Sequence, residues 1–254
     1  MKRVQLVVTG KCEQSLHVSL RQLFPELDWL PPIFANSFTS TALAEPIPPR
    51  LRTTLDKFAQ TLARNVDQDD ATLVIGVDDV EANEPQEIVA AVRGAVERTL
   101  QQFASSAAYR ERLAQSLTER CSFHLLRPMV EAYFFAAPPA LTRAGVVRPS
   151  RFDATTDVER FQVADEEAPI ESRRHPKRYL RFLTNERYRE TRDGRAALES
   201  LEWDQVLVPE PHVAAVRALI NDIADFAVVD SRPGEELAET SRSTHRRARL
   251  LRNL

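Results

Sequence analysis

Three short apolar runs constrain this chain more than any other feature. Residues 3–9 (RVQLVVT), 72–77 (TLVIGV) and 121–126 (CSFHLL) are too short for core helices and too continuous for strands with a wetted face. That is the pattern of strands covered on both faces of a parallel sheet. Stripes of helical period separate them: Leu16, Leu20, Leu23 and Phe24, stopped by Pro25; then Leu51, Leu55, Phe58 and Leu62; then Ile88, Val92, Val96, Leu100 and Phe103, opened by Pro85 and followed by a second segment over 107–120. Strands alternating with helices predict an α/β fold, a mostly parallel sheet flanked by helices.

The rest of the chain hangs on that core. Residues 31–50 hold five prolines and the polar run NSFTST, which reads as an extended loop or a short second strand around 34–43. Pro128 opens a short apolar helix, MVEAYFFA. Residues 138–172 show no convincing period and read as an irregular insertion or linker. A basic helical segment runs from Pro176 to Leu183, RDG turns the chain, AALESLEWDQVL packs back, and 212–229 gives a strong last helix. The expected layout is a core over 1–137, the insertion over 138–172, a basic and helical C-terminal part over 173–230, and a flexible basic tail over 231–254.

Composition and charge exclude several classes. With 43% hydrophobic and 28% charged residues the chain belongs among globular proteins, and a net charge of −3 leaves any polyanion binding to local patches. Only Cys12 and Cys121 occur, without a C-x-x-C, and no secretory leader opens the sequence, which fits a reducing cytoplasm. No apolar run approaches the ~20 residues of a membrane span. Neither G-x-G-x-x-G nor G-x-x-x-x-G-K-[ST] is present, which argues against a mononucleotide-binding protein of those types.

The chemistry lies in acids at strand ends, where open α/β sheets collect ligands. Glu13 follows the first strand, and TLVIGV runs into Asp78, Asp79 and Glu81. If the two strands are neighbours, four carboxylates meet, which is costly unless a cation neutralises them; hard oxygen ligands suit Mg²⁺. The same residues also serve as a helix-capping glutamate and strand-terminating aspartates, so both readings stay open. Glu131 lies in an otherwise apolar helix, accompanied by His124 and Arg127. It either pairs with Arg127 at i, i+4 or supports the acids as part of an active site. Cys12, beside Glu13, lacks a local histidine base and reads as a packed, reduced residue.

Together, VVTGKCE, LVIGVDDVE and HLLRPMVEAYFFA resemble the Toprim superfamily, in particular a branch encoded beside ATPases and similar in plan to the Toprim domains of overcoming-lysogenization-defect nucleases. The resemblance covers residues 1–137. In that family a glutamate after the first strand and an acidic D-x-D after a later one bind Mg²⁺ for phosphodiester chemistry. Glu13 matches the first; Asp79-Val80-Glu81 reads D-x-E in place of the second, and Thr9 and Lys11-Cys12 stand where a V-E-G-x-T-E context is usual. The resemblance implies Glu13, Asp78 and Asp79 as catalytic residues, and these with Glu81 as ligands of Mg²⁺ or Mn²⁺. It also implies an ATPase partner and a setting in host defence. Without the companion domains of a topoisomerase or primase, hydrolysis is the plainest chemistry; a degenerate subunit that binds and regulates an ATPase is the alternative.

Two basic segments offer contacts for DNA or RNA. SRRHPKRYLRF carries Arg174, His175, Lys177, Arg178 and Arg181 among aromatics, a pattern suited to phosphates and unpaired bases and equally to a solvated surface helix. The final SRSTHRRARLLRNL holds five arginines and no acid, as a polyanion-binding arm or a solvated tail would.

Overall fold

The computed structural model describes residues 2–43, 46–81, 83–103, 106–152, 157–208 and 213–227. The basic tail over 231–254 lies outside them. Five parallel strands form one sheet: β1 (Arg3–Val8), β2 (Asp28–Trp29), β3 (Ile33–Phe34), β4 (Thr72–Asp79) and β5 (Cys121–Leu126). β1 sits at the centre of the topology, with β4 and then β5 on one side and the two-residue strands β2 and β3 on the other. The proline-rich stretch thus contributes edge pairing to Val7 and Val8 through Ile33 and Phe34, ahead of the expected position.

Each face of the sheet has its own core. A 3₁₀ turn over Glu13–Ser15 leads into α1 (Leu16–Leu23), whose Leu16 and Leu20 bury against Val4, Leu6 and Val8. On the other face α2 (Pro49–Gln68), α3 (Pro85–Phe103) and α4 (Ala107–Arg120) bury Leu55, Phe58, Leu62, Val92, Val96, Leu113 and Leu117 against Val7, Val74 and Phe123. Gly76 sits where β4 passes under α2. A Cβ there would come within 2.8 Å of the Phe58 ring, which packs edge-on against Phe123 with centroids 5.6 Å apart.

The chain leaves β1 for one edge by way of α1 on the first face and returns to β1's other side by way of α2 on the second. The connections therefore part between β1 and β4, and their carboxyl ends frame the crevice in which open sheets bind ligands. The C-terminal half covers the first face. It comprises a 3₁₀ helix over Val130–Ala136, then α5 (Pro138–Arg143), an irregular stretch, α6 (Pro176–Leu183), a π-helical turn over Glu190–Gly194, α7 (Arg195–Glu199), α8 (Trp203–Leu207) and α9 (Ala214–Ala227). The MVEAYFFA segment is thus 3₁₀ rather than α-helical, and seven of its residues are buried. Among the described residues no helix is long and apolar enough to cross a membrane.

Candidate active site at the switch point

Glu13 is 3% exposed although it opens a helical turn. Its carboxylate folds back over Gly10, where an added Cβ would overlap both carboxylate oxygens; glycine is what leaves the room. Across the crevice, alternation along β4 sends its last two side chains to opposite faces. Asp78 turns toward the α2 face, where Thr9 and Thr39 donate their hydroxyls to its Oδ1, Thr39 at 3.1 Å, and the Asp79 N–H adds a third bond at 2.9 Å. Asp79 turns the other way, accepts the Val130 N–H at 3.1 Å and hydrogen-bonds the Glu13 carboxyl.

Two carboxyl groups bond only by sharing a proton. Burial first, then the charges of Glu13 and Glu131, hold Asp79 well above the usual carboxylate range, so the pair holds a proton between them. Glu13 is also raised, by burial above all, against the lowering effect of the Asp79 hydrogen bond. Burial pushes Asp78 up to about 7 despite its three donors. Glu13 Oε2 and Asp78 Oδ2 are buried without a hydrogen-bond partner. Orphaned anionic oxygens of this kind are costly, and they leave both carboxylates open to a water or a cation.

The fourth acid is Glu131, 1% exposed, not Glu81. Burial pushes it up to about 7, with Lys177 pulling down and Glu13 and Glu190 pushing up. The Tyr188 hydroxyl donates to Glu131 at 3.2 Å, and Lys177 Nζ stands 3.7 Å from Glu131 and 2.8 Å from Glu190. Burial alone would lower the Lys177 ammonium; Glu131 and Glu190 outweigh it and hold the pKa above the usual range. Glu190 arrives on the π-helical turn, which ends at Gly194, where a Cβ would overlap the Tyr188 hydroxyl. Burial and the surrounding acids keep the Cys12 thiol protonated, in keeping with a packed, reduced cysteine.

Glu81 lies past the end of β4 in a left-handed turn, φ 46°, its N–H bonded to the Pro128 carbonyl, and its side chain is exposed. It takes no part in the hydrogen bonds that join the other acids. His124 is buried on β5, but its Nε2 faces Asp222 of α9 at 3.0 Å and Ser122 at 3.2 Å, so it ties α9 to the sheet. Arg127 is exposed and does not pair with Glu131; Lys177 takes that role from α6. Of the basic segment, Arg174, Arg178 and Arg181 are exposed. Lys177, 21% exposed at its side chain, is drawn inward to the acids. Burial, then Arg178 and Lys177, lowers His175 to about 4, so it is neutral at pH 7 and supplies no charge for phosphate.

Thr9, Thr39, Tyr188 and Glu190 belong to the site without having been singled out from the sequence. Thr9 had a signal in its position between the first strand and Gly10; Glu190 had none. Among the described residues no three His, Cys, Asp or Glu side chains form a ready-made metal cage. The donor set still fits Mg²⁺ or Mn²⁺: the oxygens are hard, two are orphaned, and Mg²⁺ keeps most of its waters and takes one or two carboxylates. No protein-family model, no curated protein and no solved structure matches this chain.

Proposed function

We propose that this chain is a Toprim-like nuclease, dependent on Mg²⁺ or Mn²⁺, that hydrolyses phosphodiester bonds in DNA or RNA and works with an ATPase partner in host defence. One observation carries the reading: Glu13 and Asp79 share a hydrogen bond at the sheet's switch point, with Asp78 beside them and two buried carboxylate oxygens unpartnered. The ATPase and the defence setting rest on the family resemblance.

Glu13 and Asp78 offer those oxygens to the ion. Thr9, Thr39 and the Asp79 N–H fix the Asp78 carboxylate, and the Val130 N–H fixes Asp79. A bound divalent ion supplies an activated water and charge stabilisation at the leaving oxygen. The exposed Arg174, Arg178 and Arg181 contact the nucleic-acid backbone. His124 supports the site through its contact with α9.

A specific observation favours a second reading. Lys177 already contributes a positive charge beside Glu131 and Glu190, as a site that has given up its ion would. On that reading the chain is a degenerate binding or regulatory subunit of an ATPase complex. Incubating the purified protein with labelled single- and double-stranded DNA and RNA in Mg²⁺ or Mn²⁺, beside Glu13→Gln, separates the two. Cleavage by the wild type alone supports the nuclease. Equal cleavage by both removes Glu13 from the mechanism. No cleavage, no heat of Mn²⁺ binding and stable co-purification with an ATPase favour the second reading.

A further inference from the structure

A groove on the α2 face lies apart from the acids and is claimed by none of the chemistry above. It encloses about 280 Å³ between the end of β3 and α2, and its lining includes Phe34, Asn36, Lys57, Gln60, Thr61 and Arg64. Phe34 is 44% exposed although it lies on a strand. Lys57, Thr61 and Arg64 are spaced i, i+4, i+7 and so form one stripe along the helix. The acids of α2 are engaged elsewhere: Asp56 with Arg98 at 2.6 Å, and Asp67 with Tyr109 at 2.7 Å and Arg112 at 3.3 Å. Among the described residues no acid lines the groove. Arg64 is held in place by the Phe103 ring, 5.2 Å from its guanidinium carbon.

We propose that this groove binds a segment of single-stranded nucleic acid, with a base on Phe34 and successive phosphates at Lys57 and Arg64. Aromatic faces interleaved with cations are the physical requirement for binding unpaired strands without regard to sequence. The spacing argues for a strand over a free nucleotide. Seven residues of helix set the backbones of the two cations about 10 Å apart at ~1.5 Å per residue, so their charges are spread along the groove as the successive phosphates of a strand are. The groove also lacks the glycine-rich cradle by which free nucleotides are held. Asn36 lines the groove with an amide able to donate to and accept from base edges of any identity, and Gln60 lines it too, its amide N–H donating to Gln102. The loop that leaves the groove at Asn36 reaches Thr39, a hydroxyl donor to Asp78, so a short stretch of chain joins the groove to the acids.

The test is fluorescence anisotropy of a short labelled oligothymidylate with the full chain in EDTA, so that neither metal nor cleavage enters. Lys57→Glu with Arg64→Glu should reduce the salt slope by roughly 1.4, two phosphates at about 0.7 each. Phe34→Ala should weaken binding roughly tenfold. All three residues are exposed, and an unchanged melting temperature confirms that the variants fold. Arg110→Glu, equally exposed and outside the groove, and Glu13→Gln should both bind as the wild type does. Normal affinity and slope in the groove variants, an equal loss in Arg110→Glu, or free thymidylate competing as well as the strand would each overturn the proposal. Loss of cleavage in Glu13→Gln with strand binding intact separates this inference from the nuclease reading.

Discussion

Gly10 and the Glu13 carboxylate compete for one volume, and the carboxylate holds it only because glycine has no Cβ. Gly10→Ala should therefore leave the sheet intact and move the Glu13 carboxylate by about an ångström, enough to cost on the order of 10²-fold in cleavage. Circular dichroism unchanged from wild type alongside a normal cleavage rate would show that Glu13 does not need its place over Gly10. Lys177 is the complementary case. It is the cation nearest the buried Glu131, and removing one partner of a buried pair leaves an uncompensated charge. Lys177→Met should destabilise the fold by about 2–3 kcal/mol at pH 8, a little below the range for fully buried pairs because the side chain retains some solvent. The loss should shrink toward pH 5.5. Glu131 already sits at about 7 with Lys177 present, and without it takes up its proton more readily, becoming neutral. Denaturant melts at the two pH values decide this; an equal loss at both would mean that Lys177 acts by packing alone.

Among the elements, those with strong local period were legible in the sequence. The CSFHLL strand and the Pro176–Leu183 helix have the expected bounds, because apolar runs and a proline at a helix's first turn act locally. The two-residue strands were not, since their pairing to β1 is made by backbone and leaves little side-chain pattern. Within the site, Glu13, Asp78 and Asp79 were visible at strand ends. The alternation along β4 gives Asp78 and Asp79 different partners, and Glu81 falls outside because the chain turns left-handed after β4. Lys177 reads as a wet position on an amphipathic helix; only tertiary packing lets its long stem carry the charge inward. The insertion likewise hides a structural anchor. Glu159 accepts the Ala215 N–H at 2.8 Å, the Val216 N–H at 3.2 Å and the Tyr133 hydroxyl at 3.0 Å, so it caps α9 from outside. Burial above all raises it from 4.5 to about 7. The folded state then binds this proton more tightly than the unfolded state, so its stabilising contribution is complete below 4.5 and is lost as pH rises through about 7. Glu159→Gln should flatten that part of the pH–stability curve, and Glu159→Ala should cost about 2 kcal/mol by stranding the helix N–H groups and the tyrosine. A pH–stability curve unaltered in Glu159→Gln would rule out the linkage.

For the whole molecule, the acids sit where the two halves of the chain meet: Glu13 on the turn after β1, Asp78 and Asp79 at the end of β4, Glu131 behind them, and Lys177, Tyr188 and Glu190 from the C-terminal half. Burial and mutual charge raise all four acids, so protonation relieves the repulsion among them. A divalent ion does the same work by charge instead of by protonation, and it binds the folded chain, in which alone the acids converge. Saturating Mn²⁺ should therefore raise the melting temperature. At a hundred times its dissociation constant the linkage is about 2.7 kcal/mol, or roughly 5–10 °C for a chain of this size. The rise should be larger at pH 8 than at pH 6, because Asp78, at about 7, must release its proton to become a ligand. Glu13→Gln should lose most of the rise while Glu81→Gln keeps it, since Glu81 stands outside the acid group. A melting temperature indifferent to Mn²⁺ at both pH values would leave Lys177 as the site's working cation and turn the balance toward a binding subunit.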